Sequence, residues 1–165
     1  DEPTAIKRLA VGEHLWSYTA LCQGGDKPLF WQLDFPLLNY RVWAWISYRY
    51  QMTGLLYWTT VFWDHVKDPW LDQPSFRLAY NGEGMLFYPG KDAGLDGPVA
   101  SMRLKQIREG MEDYEYLHLL ARRAGREKAH AFALRIGRSW LDWEKDPTTL
   151  LDVRGELARA IEASQ

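Results

Sequence analysis

Two short apolar segments lie on either side of one helix-length segment, and this arrangement constrains the fold more than any other feature of the chain. Leu15 to Leu21 reads as a strand, with Trp16, Tyr18 and Ala20 on one face. Gln23-Gly24-Gly25-Asp26 reads as a loop. Leu37 to Met52 reads as an aromatic-rich helix that stops at Thr53-Gly54. Leu55 to Trp63 follows as a second strand, apolar on both faces as a buried parallel strand should be. Strand, helix and strand in this order form a βαβ unit with parallel strands. Two parallel strands close no barrel and leave their edges open. The missing strands must come from another chain, or the unit must settle as a small α+β fold.

The flanking segments are simpler. Pro3 to Val11 forms a short helix with Ile6, Leu9 and Ala10 on one face, and Gly12 ends it. Residues 64–84 read as a long loop holding Pro69, Pro74 and Gly82. Met85 to Tyr88 is a short strand, and Pro89 to Pro98 a glycine-rich loop. Helical spacing then takes over. Leu104, Ile107, Met111, Tyr114, Leu117 and Ala121 mark one helix, with Arg122 and Arg123 in its last turn and Gly125 just past its end. Ala129, Phe132, Ala133, Ile136, Trp140 and Trp143 mark a second. Asp146-Pro147 starts a third, with Leu150, Val153, Leu157 and Ile161 inward. The expected division is residues 1–99 for the strands, crossover helix and loops, and 100–165 for a helical layer.

Composition narrows the function classes. The 165 residues are 47% hydrophobic and 25% charged, a globular balance. A net charge of −2 gives no electrostatic footprint for nucleic acid or an anionic membrane. A single cysteine, Cys22, forms no disulfide framework. His14, His65, His118 and His130 have no metal-ligand spacing, and no cofactor motif is present. No apolar run approaches the roughly 20 residues of a membrane span, and no signal peptide is visible. A start at Asp1 is that of a processed or truncated product. Nine tryptophans and nine tyrosines exceed what a core of this size requires. The surplus is either a large aromatic core or flat apolar faces for a ligand such as a sugar, whose C–H faces stack on aromatic rings.

Five ordered motifs resemble the catalytic domain of glycoside hydrolase family 123. They are Leu15-Trp16-Ser17-Tyr18-Thr19; Asp34, Pro36, Arg41 and Trp45 leading into Gly54-Leu55-Leu56-Tyr57-Trp58 and Trp63; Gly82, Gly84 and Leu86 with Phe87-Tyr88-Pro89-Gly90; Ser101-x-Arg103-Leu104; and Ile107-Arg108-x-Gly110-x-x-Asp113-Tyr114-Glu115-Tyr116-Leu117. The resemblance spans about residues 12–120. It implies an α/β fold: the C-terminal portion of a (β/α)8-type barrel, supplying its last two parallel strands, then a short β-hairpin and a helical layer. It also implies a retaining hydrolase acting on N-acetylhexosamine (GalNAc-like) glycosides. In that mechanism the substrate's acetamido oxygen attacks the anomeric carbon, one Asp orients it, and an adjacent Glu protonates the leaving oxygen. Such enzymes are exceptions to the two-carboxylate scheme. The implied partners are a carbohydrate substrate and either the remaining N-terminal part of the parent enzyme or a second copy; the implied location is secreted or periplasmic.

Asp1-Glu2 does not fit that catalytic pair. Thirteen residues separate Glu2 from Trp16, room for one helix, whereas the family's pair lies several βα units earlier. The pair is therefore expected outside this chain, which contributes no catalytic residue of its own. The alternative is a non-catalytic carbohydrate-binding or protein-interaction module on the same fold. Barrel enzymes work at the carboxyl ends of their strands, so the substrate-binding candidates are Trp16, Tyr18, Asp34, Trp58, Trp63, Asn81 and Glu83. Plainer readings stand beside them. Trp16 and Tyr18 can be core, Asp34 can pair with Arg41 seven residues on, and Asn81 and Glu83 can stabilise a turn. Arg103 can hold a carboxylate at the helix start or sit in a structural ion pair, and Asp113 and Glu115 can be a solvated helix face or a layer of hydrogen bonds behind the site.

Overall fold

Ten consecutive residues of the crossover helix, Asn39 to Tyr48, are buried. A helix with no exposed stripe must be covered on every side. The computed structural model, which describes residues 2–19, 29–63, 66–72, 74–76 and 80–164, shows how. The elements in chain order are α1 (Glu2–Ala10), β1 (Trp16–Thr19), α2 (Leu38–Arg49), β2 (Gly54–Tyr57), β3 (Pro74–Phe76), β4 (Tyr80–Asn81), β5 (Phe87–Pro89), β6 (Pro98–Ala100), α3 (Met102–Ala124), α4 (Arg126–Ile136) and α5 (Pro147–Glu162). α2 is the crossover helix itself. β1 and β2 pair in parallel, in register from Trp16–Gly54 to Thr19–Tyr57. The helix lies on one face of this sheet, and α3 and α4 pack on its other sides. β5 and β6 form the expected hairpin, pairing Phe87 with Ala100 and Pro89 with Pro98.

Several boundaries differ from the sequence reading. The second strand stops at Tyr57 rather than Trp63, because the backbone beyond it bonds elsewhere. Thr60 O accepts from Leu86 N at 2.8 Å and Phe87 N at 3.0 Å, and Phe62 N donates to Gly84 O at 2.9 Å. Nor is β2 buried on both faces, since Leu56 is exposed. The stretch read as a loop over 64–84 contains the small antiparallel pair β3–β4. The helix marked by Ala129 to Trp143 ends at Ile136; Gly137 then bridges to Trp143, and Glu144 N donates to Ile136 O at 2.8 Å. Ala20, Leu21, Cys22, the Gln23–Asp26 loop and His65 lie outside the described residues.

Burying α2 requires a partner for each polar group it carries. Small residues on β1 serve one side: Ser17 Oγ accepts from Trp43 Nε1 at 2.7 Å and lies 3.2 Å from Ser47 Oγ. Asp113 serves the other. Its fully buried carboxylate accepts from Arg41 Nε and Nη2 at 2.6 and 2.9 Å, from Trp45 Nε1 at 2.9 Å and from Arg154 Nε at 2.7 Å. One acid thus ties α2, α3 and α5 together. Arg41 does not pair with Asp34, and Asp113 is no solvated helix face. Gly110, one turn earlier on α3, explains the reach. A Cβ there would stand 2.8 Å from Arg41 O, so glycine, normally costly inside a helix, allows the two backbones to approach.

The tryptophans follow the same logic. Trp31, Trp43, Trp45 and Trp143 are buried, Trp63, Trp70 and Trp140 are half-buried, and only Trp16 and Trp58 are exposed. Trp31 stacks on Tyr40 at 5.3 Å and meets Trp43 edge-on at 5.4 Å, while Tyr50 stacks on Trp140 at 5.4 Å. Most of the aromatic surplus is therefore core, and the share offered to solvent is small.

Asp113→Ala leaves the Arg41 guanidinium buried without its counter-charge, so a loss of about 3–5 kcal/mol is expected in urea unfolding. A loss no larger than the roughly 1 kcal/mol of a surface ion pair would show that Asp113 does not hold the helices together.

Candidate functional site

The solvent side of the parallel pair is built by simple alternation. Ser17, Thr19, Leu55 and Tyr57 turn toward α2, so Trp16, Tyr18, Leu56 and Trp58 turn away from it, and these four are 43–67% exposed. Tyr18 lies opposite Leu56 in the register, and the Trp58 ring packs on Phe62 at 4.4 Å. The Trp16 ring lies over Gly54, where a Cβ would come within 2.4 Å of it. That puts Trp16 at the amino end of the strands, about 10 Å along the sheet from their carboxyl end. Tyr18 and Trp58 are nearer that end.

Beneath the carboxyl ends lies a buried polar layer. β2 delivers Tyr57, α2 delivers Tyr40, the segment before α2 delivers Gln32, and the turn after β4 delivers Glu83. Glu83 is 3% exposed and accepts from Gln32 Nε2 at 3.5 Å. Tyr57 Oη accepts from Gly84 N at 2.9 Å and sits beside the Glu83 carboxyl. Burial pushes Glu83 above the usual carboxylate range, against hydrogen bonds from Gln32 and Tyr57 and the field of Arg103. Burial also raises the Tyr57 hydroxyl, with the Glu83 charge adding to it, and takes Tyr40 up to about 12 against the pull of Arg103.

Arg103, in the first turn of α3, fastens this turn from behind. Nη1 donates to Gly82 O at 2.6 Å, and Nη2 donates to Met85 O and, at 3.0 Å, to the Tyr88 hydroxyl. Its partners are thus carbonyls and a hydroxyl rather than the carboxylate of an ion pair. Gly82 is required for this: its φ is +67°, and a Cβ would meet Arg103 Nη1 at 2.7 Å. Among the described residues, Tyr40 Oη and Arg103 Nε are buried without hydrogen-bond partners.

At the layer's outer edge, Asn81 Nδ2 donates to Asp34 Oδ1 at 2.8 Å and Asn81 O accepts from Leu33 N at 2.9 Å. Asp34 is therefore brought to Asn81, beside the strand ends. Trp63 stands apart. Its indole N–H donates to Phe87 O at 3.1 Å, and that of Trp70 to Pro89 O at 3.0 Å, so two indoles occupy the outer carbonyls of β5. The Trp63 ring lines a cleft of about 590 Å³ with Lys91, Leu95 and Asp96 of the hairpin loop.

Of the seven sequence candidates, Tyr18, Trp58, Asp34 and Asn81 gather at or near the carboxyl end, Trp16 lies at the amino end, Glu83 lies below, and Trp63 lines its own cleft. Sequence reasoning did not single out Gln32, Tyr40 or Tyr57. Tyr57 was findable by alternation, because it faces opposite to Leu56 and Trp58. Glu2 sits on α1, where it accepts from the Tyr50 hydroxyl at 3.0 Å and has Arg49 at 4.0 Å. Because α2 runs back toward the start of β2, those contacts lie at the amino ends of the strands, opposite the polar layer. Among the described residues no group of three or more His, Cys, Asp or Glu is placed to hold a metal ion.

A parallel βαβ unit with a polar layer and exposed rings at the carboxyl ends of its strands is the framework of an α/β ligand site. The family model described as glycoside hydrolase 123, catalytic domain, matches residues 4–120, and the chain belongs to that family. Its substrate class is accordingly a carbohydrate. No curated protein matches the chain.

The Glu83 shift has a definite sign. A carboxyl raised by folding contributes stability that is full below its unfolded pKa and lost as pH rises through its folded value. Glu83→Gln removes that titration. The variant is expected to gain stability relative to the parent as pH goes from acid to neutral, read from urea midpoints across that range. A constant difference at every pH would show that burial does not raise this carboxyl. Gly82→Ala, strained at its φ and crowded against Arg103, is expected to lower stability by more than about 1 kcal/mol in the same assay.

Proposed function

We propose that this chain forms the last part of a glycoside hydrolase barrel, residues 1–99 supplying two strands and the loops that face substrate and residues 100–165 the final helix and a helical extension. The observation that carries this reading is the exposed side of the β1–β2 sheet. Parallel sheets are covered on both faces, yet here Trp16, Tyr18, Leu56 and Trp58 look outward. In a closed barrel that side would face inward, toward strands supplied by the remaining N-terminal part of the enzyme or by a second copy.

In this reading the substrate is an N-acetylhexosamine glycoside, GalNAc-like, cleaved with retention by its own acetamido group. The Asp and Glu that orient that group and protonate the leaving oxygen lie outside this chain. Tyr18 and Trp58 present ring faces to the sugar, Trp16 continues that wall inward, and Asp34 and Asn81 meet its hydroxyls. Trp63 offers a ring to a further part of the glycan from its own cleft beside the hairpin loop. Glu83 acts from below, holding Tyr57 and the turn that carries Asn81. A secreted or periplasmic site of action accompanies this reading.

Two assays test it. With an aryl β-N-acetylgalactosaminide, the intact protein should turn over and this chain alone should not. Turnover by the chain alone would place the acid within it. An aryl galactoside lacking the acetamido group should be inert, and its hydrolysis at a comparable rate would exclude substrate assistance. Trp58→Ala in the intact enzyme should lower kcat/KM by about tenfold, the scale of one lost ring contact.

A further inference from the structure

At the end of α2 away from the strand loops, a cleft of about 720 Å³ opens between the last turn of α2, the last turns of α3 and the first turn of α4. It lies at the amino ends of the strands, where Thr53 N donates to Leu15 O at 2.9 Å. Three rings form its wall: His118 meets Tyr48 edge-on at 5.0 Å and Tyr114 at 4.6 Å, and the two tyrosines are 5.7 Å apart. Arg122, Arg126 and His130 also line it.

The charges of this cleft are lopsided. Arg126 is steadied by Gln51 Oε1 at 2.8 Å, a neutral partner. Arg122 has no hydrogen bond or ion pair among the described residues. Burial first, and then the fields of Arg122 and Arg126, hold His118 below the usual imidazole value, against Glu115. Glu127 is the one carboxylate in the lining, so two permanent cations face one acid in a chain whose net charge is −2. α4 begins at the cleft with Gly125 as its N-cap and no side chain capping it, while α2 and α3 end there with their negative dipole ends, so the positive sign of the cleft comes from the two arginine side chains. Arg122 in the last turn of α3 and Arg126 at the first position of α4 come to this one cleft from two helices, and an anion between two guanidiniums would offset their like charge.

We propose that this cleft binds an oxoanion carried on a sugar-sized ring, a carboxylate-, sulfate- or phosphate-bearing saccharide, at a site separate from the strand ends. The guanidinium fork matches two oxygens of such a group. The Tyr48, Tyr114 and His118 rings offer apolar surface to the ring that carries it. The volume is that of a small-molecule site and exceeds the need of a bare ion. Nothing in this assignment depends on the chemistry proposed at the other end of the sheet.

The test is a titration of the intact protein followed by the imidazole resonances of His118 and His130. A hexose 6-sulfate is expected to shift both saturably, inorganic sulfate to shift them with weaker affinity, and the unmodified hexose to leave them in place. Arg122→Gln and Arg126→Gln should each weaken the sulfated sugar by about tenfold, the worth of one hydrogen bond to an ionised group. Both side chains are exposed, so near-ultraviolet circular dichroism should be unchanged; if Arg126→Gln disturbs it, Arg122→Gln decides. No saturable shift with the hexose sulfate, equal binding of the neutral hexose, or full affinity in Arg122→Gln would overturn the site. Inorganic sulfate binding as tightly as the sulfated sugar would overturn the sugar as occupant.

Discussion

The Asp113 carboxylate takes two hydrogen bonds on each oxygen, from Arg41, Trp45 and Arg154, and none of it is exposed. Removing the Arg41 guanidinium and an acid from water, with Arg154 half-buried beside them, is expensive, and the arrangement survives because both carboxylate oxygens are fully hydrogen-bonded. Glu112, 3.8 Å from Arg154, offsets part of the remaining positive charge. The position of α2 follows from this centre. Arg41 and Trp45 are one turn apart on α2, so holding both fixes that helix in rotation as well as in depth. The sheet rests on the opposite side of α2, and the directions of Tyr18 and Trp58 are inherited from it.

Arg103 repeats the device on a smaller scale. It stands at the start of α3, ten residues before Asp113, and its donors go to the backbone of the Gly82–Met85 turn rather than to an acid. α3 thus grips the crossover helix at one level and the loop beneath the strand ends at another. The ring wall and the Asp34–Asn81 pair are exposed, while the groups that place them are buried. The surface that meets a ligand is thin, and most of the family's motif residues lie beneath it.

How much could be read in advance follows from that division. The parallel pair, the crossover helix, the hairpin and the Asp146-Pro147 helix start were legible, because periodicity and capping are local. The end of β2 was not. Nothing within Leu55–Trp63 announces that Thr60 and Phe62 will bond to residues 84–87. The Asp113 centre was hidden for the same reason: its partners lie 72 and 41 residues away, and an acid followed by Tyr-Glu-Tyr looks like a polar helix face. Gly110 was the clue within reach, since a glycine in mid-helix asks for a close neighbour. The aromatic excess left a large core and a ligand surface both open, and most of it is the packing around α2. The strand-end candidates came from a rule that concerns the fold and not the neighbours, and the structure brings Tyr18, Trp58, Asp34 and Asn81 to or near that end.

The same centre also sets an order of events during synthesis. Arg41 leaves the ribosome 72 residues before Asp113, and Arg154 follows Asp113 by another 41. Until then the Arg41 guanidinium and the Trp45 indole of α2 lack the carboxylate that receives them. Contacts closed over such spans form late, so the nascent chain must hold its most apolar helix in waiting, and chaperone contact during translation would concentrate on residues 38–49.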